Sequence, residues 1–372
     1  MTSPIHVEEV PRHAGIDIVR VIMTMLVILH HTAITYGGSG GWFWREQPNA
    51  SNPLLVMFNA INQSYFMGVF FLLAGYYTPR SFDRKGPGHY LADRLVRLGI
   101  PLLTFFFLLY PLTVALADST TPAGVVDGWL RGIADGPHGP GPLWFAIALL
   151  IFAFVYAAWR SMWPRPRPVA PTIMLPPRRM ILVAIVAVGA AAFAVRLVIP
   201  VGQEILWLQL GYFPSYIMLF AAGAAAAPGR LLERVTSQDA RPWLVLAAVS
   251  LASLPLVVVM QGSAGGFEGG LNFNALYYAF WEPCVATGVI LGLLAWANRR
   301  QRTAGPVTKW LAAGAFGAFI FHPPLVVALS VLASPWMAAP LIKFLAVGMA
   351  ACGASFAVAG IARALPLVRR VI

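Results

Sequence analysis

The chain has 372 residues, of which 59% are hydrophobic and only 11% are charged, with a mean hydropathy of +0.72. Soluble domains carry about 25% charged residues, so this composition excludes an ordinary soluble protein and indicates an integral membrane protein. The net charge of +12 comes from short basic clusters between apolar runs, which membrane topology explains without a nucleic-acid partner. Cys284 and Cys352 lie within apolar runs and form no disulfide framework or metal-ligand pattern, so no metal site is predicted.

Ten apolar windows are long enough to cross a bilayer, which takes about 20 mostly apolar residues. The windows are roughly 16–36, 54–78, 98–117, 142–162, 180–199, 206–227, 243–261, 275–297, 311–333 and 337–362. No soluble domain fits between them. The sequence therefore predicts an all-α fold, a polytopic bundle of about ten transmembrane helices in which residues 1–372 form one integral-membrane domain.

The distribution of Lys and Arg predicts the orientation of this bundle. Alternating the connections between two sides places all but four of the 26 basic residues on one side. The four exceptions are Arg45, Arg131, Arg196 and Lys343. Because cytoplasmic loops carry the excess of Lys and Arg, both termini are predicted to be cytoplasmic. The polar N-terminus does not resemble a cleavable signal peptide.

The first window, "IDIVRVIMTMLVILHH", carries four polar side chains of interest. Arg20 and His31 are eleven residues apart and therefore share a helix face, about 16 Å from each other along the axis. Asp17 precedes Arg20 by three positions and can pair with it. His30 points about 100° away from His31. An intramembrane ionisable residue is energetically costly and marks a functional site by default. This favours a functional role for His31 over a packing role. For His30, a supporting role at the site and a packing role are about equally consistent with the sequence.

The connection between the second and third windows contains Arg94-x-x-Arg97 followed by Pro101. Side chains three residues apart share a helix face, and paired guanidinium groups at the inner surface suit phosphate or pyrophosphate. Contact with lipid head groups explains the same pair, and from the residues alone it is the better interpretation.

Three further residues are candidates on the later helices. Trp144 follows a Gly-Pro pair, where an interfacial aromatic belt explains it. His322 precedes two prolines within a helix, which favours a cavity-lining position, although a structural histidine fits as well. Glu282 is an acid inside a predicted span, so it is either functional or neutralises a buried Arg or His.

Taken together, these motifs resemble the acyltransferase family 3 membrane proteins, which O-acylate bacterial carbohydrates. "GIDIVRVIMTMLVILHH" is similar to the family's first helix, with its Asp-x-x-Arg and its Arg followed by ten residues and a His. "FFLLAGYY" resembles Phe-Phe-x-x-Ser-Gly-Tyr, with Ala74 in place of Ser before Gly75-Tyr76. "DRLVRLGIP", "GPLWFAIALL", "GYFPSYIMLFAAGAAAAPGR" and "FIFHPPLVV" resemble later segments in the same order, so the similarity covers nearly the whole chain.

The resemblance implies a transferase of the bacterial cytoplasmic (inner) membrane that moves an acyl group from acyl-CoA, most often acetyl-CoA, to a carbohydrate or glycolipid hydroxyl. Arg20, Arg94 and Arg97 are then expected to bind the acyl-CoA phosphates. His31 is expected to be the general base, since its ordinary pKa of about 6.5 suits that task, or to carry the acyl group covalently. Asp17 would orient Arg20.

The remaining candidates take supporting roles in this scheme. His30, Tyr76, Trp144, Glu282 and His322 are the residues expected at the acceptor side or around the catalytic groups. The main alternative is a secondary transporter or flippase, which also combines many helices, prolines and buried ionisable residues. A relative that keeps the fold without activity is a third hypothesis, and the sequence leaves the oligomeric state open.

Overall fold

The computed structural model describes residues 14–136, 138–163, 175–262, 265–300 and 305–372. These residues form helices and loops without a β-sheet, which confirms the predicted all-α bundle. The N-terminal segment used in the signal-peptide prediction lies largely outside the described residues. The α-helices are α1 (Ala14–Thr35), α2 (Pro53–Arg94), α3 (Ile100–Thr104), α4 (Tyr110–Asp118), α5 (Pro122–Asp135), α6 (Trp144–Met162), α7 (Arg178–Arg196), α8 (Phe213–Ala226), α9 (Ser237–Gln261), α10 (Phe273–Arg299), α11 (Pro306–Leu332), α12 (Pro340–Ala362) and α13 (Pro366–Arg369).

Within the described ranges, eight helical stretches are long and apolar enough to span a membrane. One of them, Pro53–Asp118, has 66 residues and covers two predicted windows. A shorter apolar helical stretch, Leu210–Ala226, coincides with the predicted window 206–227. The structure therefore supports a multi-pass membrane protein, while the total of ten crossings stays a prediction.

The long second stretch reverses direction on the side where the basic loops lie. Gly86 interrupts α2 with φ 73° and ψ 166°, a backbone conformation that side-chain-bearing residues rarely adopt. As a result Ala74 and Thr78, before the break, line the same cleft as Arg94 and Leu98, which follow it. The third predicted helix is wound irregularly after this turn, with π-helical segments at Leu95–Gly99 and Phe105–Leu109.

Helices α2 and α8 cross with their backbones in close contact. A Cβ atom on Gly75 would lie 2.0 Å from the carbonyl oxygen of Phe220, and one on Gly223 would lie 2.0 Å from that of Leu72. Small residues allow this kind of approach between membrane helices. The Gly75 of the "FFLLAGYY" motif is thus explained by packing rather than by chemistry.

Contacts between loops define the two ends of the bundle. At one end, Tyr76 bonds Glu233, and the Asn298 amide donates to the Leu232 and Val235 carbonyls. At the other end, Lys343 pairs with Glu46. We call these the inner and outer ends, following the predicted orientation, and α1 runs from the inner end, where Arg20 lies, to the outer end, where His31 lies.

Candidate active site

Two histidines that are 291 positions apart in the sequence meet near the outer end of the bundle. Nδ1 of His31, on α1, lies 2.9 Å from Nε2 of His322, on α11. His322 is fully buried, and His31 is partly exposed. Nδ1 of His322 lies 2.7 Å from the carbonyl oxygen of Phe319. The structure thus joins two of the residues that the sequence singled out, and it places His31 between helices rather than alone on a lipid-facing surface.

The hydrogen bonds assign the protons of both rings. A carbonyl oxygen only accepts, so Nδ1 of His322 must carry a proton and donate it to Phe319. In a neutral His322, Nε2 is then an acceptor, and Nδ1 of His31 donates to it. The remaining nitrogen of His31, Nε2, therefore has a free lone pair. This arrangement is what a general base needs, because a second group orients the ring and fixes its tautomer.

Trp42 covers one face of the His31 ring. The two ring centroids are 4.1 Å apart with an interplanar angle of 12°, and Trp42 is also nearly parallel to His322 at 5.9 Å. The indole nitrogen of Trp42 is buried and has no hydrogen-bond partner in the described part of the chain. Trp42 was not among the residues predicted from the sequence, where its only signal is its position in "GGSGGWFW", soon after the helix that carries His31.

Charged side chains stabilise the loop that carries Trp42. Arg45 donates to the carbonyl oxygens of Gly38 at 2.9 Å and Gly40 at 3.1 Å. Glu46 forms an ion pair with Lys343, whose side chain is 5% exposed. Arg45 and Lys343 are two of the four basic residues predicted on the outer side. Both stabilise the loop that holds an aromatic ring against His31.

His30 points toward α2, as its helical position predicted, and its ring meets the His31 ring only edge to face, with centroids 5.6 Å apart. Its ring stacks on Phe66 with centroids 4.9 Å apart, and its Nδ1 lies 3.5 Å from the amide nitrogen of Asn62. Asn59 donates to the His30 carbonyl oxygen at 3.0 Å. His30 therefore joins α1 to α2, and its role next to the catalytic groups stays a prediction.

Arg20 and Tyr76 lie toward the inner end. Nη1 of Arg20 is 3.4 Å from Oδ1 of Asp17, so Asp17 is placed to orient Arg20 rather than His31. The Tyr76 hydroxyl donates to Glu233 at 2.8 Å, which also accepts from Arg230. The hydrogen bond from Arg230 to Glu233 raises the pKa of the Arg230 guanidinium. Tyr76 thus belongs to an inner-end polar cluster, apart from His31.

The expected shared face of Arg94 and Arg97 is not found. Arg97 lies in the π-helical segment Leu95–Gly99, whose wider turn changes the direction of successive side chains. The Arg97 side chain is 58% exposed and pairs with Asp93 at 3.2 Å. Arg94 instead lines the cleft with Ala74 and stacks on the Tyr90 ring, 5.2 Å from its centroid. Nε of Arg94 and the Tyr90 hydroxyl are buried without partners among the described residues.

Glu282 has a buried partner, Arg196, with which it forms an ion pair. The side chains are only 4% and 1% exposed. Nε of Arg196 donates to the Gly211 carbonyl at 3.1 Å, and its guanidinium lies over the rings of Tyr212 and Tyr278. The pair therefore connects α7 and α10 to the loop before α8, and an acceptor-side role for Glu282 stays a prediction.

Trp144 is partly buried at the start of α6. It stacks on Tyr216 with centroids 5.8 Å apart and packs against the main cluster of buried hydrophobic residues. Trp144 therefore packs against neighbouring helices, and its interpretation as part of an interfacial belt stays a prediction. Tyr216, which the sequence did not single out, receives a hydrogen bond from Gln63 at 3.4 Å.

Comparison with known proteins identifies the family to which the chain belongs. The model of the family described as "Acyltransferase domain", acyltransferase family 3, matches residues 13–362. Glucans biosynthesis protein C of Salmonella typhi and of Salmonella typhimurium are each 25% identical over 370 residues, covering 95% of this chain and 90% of the relative. An NADH-quinone oxidoreductase component of Rhodopseudomonas palustris is 37% identical over only 62 residues, 17% of this chain and 19% of the relative. No solved structure shows a significant match. On the strength of a family match along nearly its whole length, the chain belongs to the acyltransferase 3 family of membrane acyltransferases.

Proposed function

We propose that the protein transfers an acetyl group from cytoplasmic acetyl-CoA to a hydroxyl of a carbohydrate or glycolipid in the bacterial inner membrane, with His31 as general base. The observation that carries this proposal is the hydrogen-bonded chain from His31 through His322 to the Phe319 carbonyl. It leaves Nε2 of His31 with a lone pair near the outer end of the bundle.

The relatives' name guides the choice of acceptor. Two of them are called glucans biosynthesis protein C, so the acceptor that we propose first is a glucose residue of a glucan. A hydroxyl of a glycan on the outer side would meet His31 close to the end of α1. Acetyl-CoA would enter from the inner end, where the basic loops lie.

The transfer step balances with His31 as the only base. The acceptor oxygen attacks the thioester carbonyl carbon while its proton passes to Nε2 of His31. The tetrahedral intermediate then collapses, the carbon–sulfur bond breaks, and the thiolate takes the proton from the imidazolium. The products are the O-acetyl ester, CoA and neutral His31. The bond from Nδ1 of His31 to His322 supports the positive charge that His31 carries between these steps.

Arg94 and Arg20 are the residues that we propose for the nucleotide part of the donor. The unpartnered Nε of Arg94 and the unpartnered hydroxyl of Tyr90 lie at an inner cleft, and buried polar groups without partners are uncommon in folded proteins. In this proposal, phosphate oxygens of the donor accept hydrogen bonds from these groups. Arg97, which is exposed and already paired with Asp93, is better suited to long-range attraction of an anion than to direct binding.

Replacing Arg94 by Met is therefore expected to raise the KM for acetyl-CoA about tenfold to a hundredfold, because a charge-assisted hydrogen bond is lost. Arg97→Met, at the neighbouring exposed position, is the matched control and should raise it no more than about threefold. Initial rates of acetyl transfer by the purified protein at varied acetyl-CoA measure both values. Equal effects of the two substitutions, or none, would contradict the assignment of Arg94 to the donor.

A further inference from the structure

The loop between α7 and α8 contains a tight turn built from unfavourable residues. Ile205 and Leu208 exchange two backbone hydrogen bonds, each 3.0 Å, around Leu206 and Trp207, whose φ angles are 51° and 63°. Positive φ at both central positions defines the type I′ turn, which favours Asn and Gly. Large side chains at both positions strain the backbone, and strain of this kind is found preferentially at functional sites.

The turn presents Trp207 beside other aromatic rings at the outer end. Trp207 contacts Phe106 edge to face with centroids 5.4 Å apart. A Cβ atom on Gly139 would lie 3.7 Å from Nε1 of Trp207 and 3.4 Å from the Tyr110 ring, so Gly139 lies between these two aromatic side chains. The Tyr110 ring is stacked on His138 at 5.7 Å. Trp207 is 45% exposed, so a ligand can reach it from outside.

A continuous series of ring contacts leads from this surface to His31. Tyr110 contacts Phe43 at 5.0 Å, Phe43 contacts Trp42 at 5.2 Å, and Trp42 stacks on His31 at 4.1 Å. Packed aromatic side chains therefore connect Tyr110, which lies beside the surface around Trp207, with the His31 ring.

Polar side chains next to the rings complete a surface suited to sugars. Glu204 directly precedes the turn and Gln209 directly follows it. The Gln209 amide donates to the Glu204 carboxylate at 3.5 Å. The Glu204 carboxylate is close enough to Tyr110 to interact with it electrostatically. Pyranose rings present C–H groups that stack on aromatic faces and hydroxyls that bond carboxylate and amide groups, which is the combination found here.

We infer that Trp207 and Tyr110, with Glu204 and Gln209, form a binding platform for a neutral pyranose ring of the acceptor. This inference rests on the proposed function, because it concerns the carbohydrate acceptor that the reaction at His31 requires. The platform holds one sugar ring at the outer surface while a hydroxyl of another ring of the same glycan reaches His31. The strained turn places the Trp207 indole next to Gly139, which also lies beside the Tyr110 ring.

Two substitutions at the turn separate the platform from its alternatives. Trp207→Gly removes the indole and suits the positive φ, so the turn is preserved. Leu206→Asn also suits its φ and keeps Trp207, which makes it the matched control. The probes are soluble, fluorescently labelled gluco-oligosaccharides, and the readouts are their equilibrium binding to the purified full-length protein and their KM in acetyl transfer. Trp207→Gly should weaken binding and raise the acceptor KM at least about tenfold, whereas Leu206→Asn should leave both unchanged.

An interfacial membrane anchor predicts a different pattern. Leu206 is 78% exposed, more than Trp207, so loss of an anchor would make Leu206→Asn as harmful as Trp207→Gly. Equal harm from the two substitutions would overturn the inference of a sugar platform. So would an unchanged acceptor KM in Trp207→Gly, or a wild-type protein that binds none of the oligosaccharides. Failure of the proposed function is distinguishable, since it would appear as wild-type transfer by a His31→Ala protein.

Discussion

Replacement of His31 by Ala is expected to lower the rate of acetyl transfer about 10²- to 10⁴-fold, the usual contribution of a general base. The His31 ring is partly exposed, and its loss removes one hydrogen bond to His322, so the protein should still fold. Rates of transfer from acetyl-CoA to a gluco-oligosaccharide, measured on purified protein with thermal unfolding as the folding check, give the two quantities needed.

Two neighbouring variants test the roles of the rings around His31. His322→Gln keeps a side-chain acceptor near Nδ1 of His31 and should retain more activity than His31→Ala. His30→Gln, on the same helix, should retain far more activity than His31→Ala, because His30 stacks on Phe66, lies beside Asn62 and meets His31 only through an edge-to-face ring contact. A His30 variant as inactive as His31→Ala would contradict the assignment of His31 as the base.

Replacement of Arg196 by Met is expected to destabilise the protein by about 3–5 kcal/mol, since it leaves the Glu282 carboxylate buried without its countercharge. The pair is nearly inaccessible, so water cannot compensate. The double variant Arg196→Met/Glu282→Leu should recover much of this loss because it removes both charges. Thermal unfolding of the purified protein in detergent measures the series.

An exposed ion pair provides the control for this comparison. Arg131 and Asp127 lie one helical turn apart on α5, with side chains 71% and 66% exposed. Arg131→Met should change stability by less than about 1 kcal/mol. If Arg196→Met unfolds no more readily than Arg131→Met, the buried pair does not hold α7 and α10 together.

Much of the architecture was accessible from the sequence because apolar length and charge distribution are local properties of the chain. The helical class, the multi-pass character and the transferase family followed from them and from the motif order, and the family match favours the enzyme over the transporter hypothesis. The pairing of Arg20 with Asp17 was also accessible, since both lie within one turn of the same helix.

The partners within the site were not accessible, because they depend on how distant helices pack. Nothing local indicates that His322 contacts His31, that Arg196 is the partner of Glu282, or that Trp42 folds back over the imidazole. The prediction that Arg94 and Arg97 share a helix face was wrong for another reason. It assumed an α-helical period where the chain forms a π-helical segment. The stacking of Trp144 on Tyr216 depends on how α6 and α8 meet, which the local sequence does not show.

We expect His31 to be the base for transfer of an acetyl group from a cytoplasmic donor to an acceptor on the outer side. This transfer can be measured in sealed vesicles of uniform orientation, with radiolabelled acetyl-CoA on the cytoplasmic face and a membrane-impermeant gluco-oligosaccharide on the opposite face. Labelled oligosaccharide should form with the wild-type protein, and only background label with His31→Ala. Equal labelling with both proteins, or labelling only when donor and acceptor share one face, would contradict this expectation.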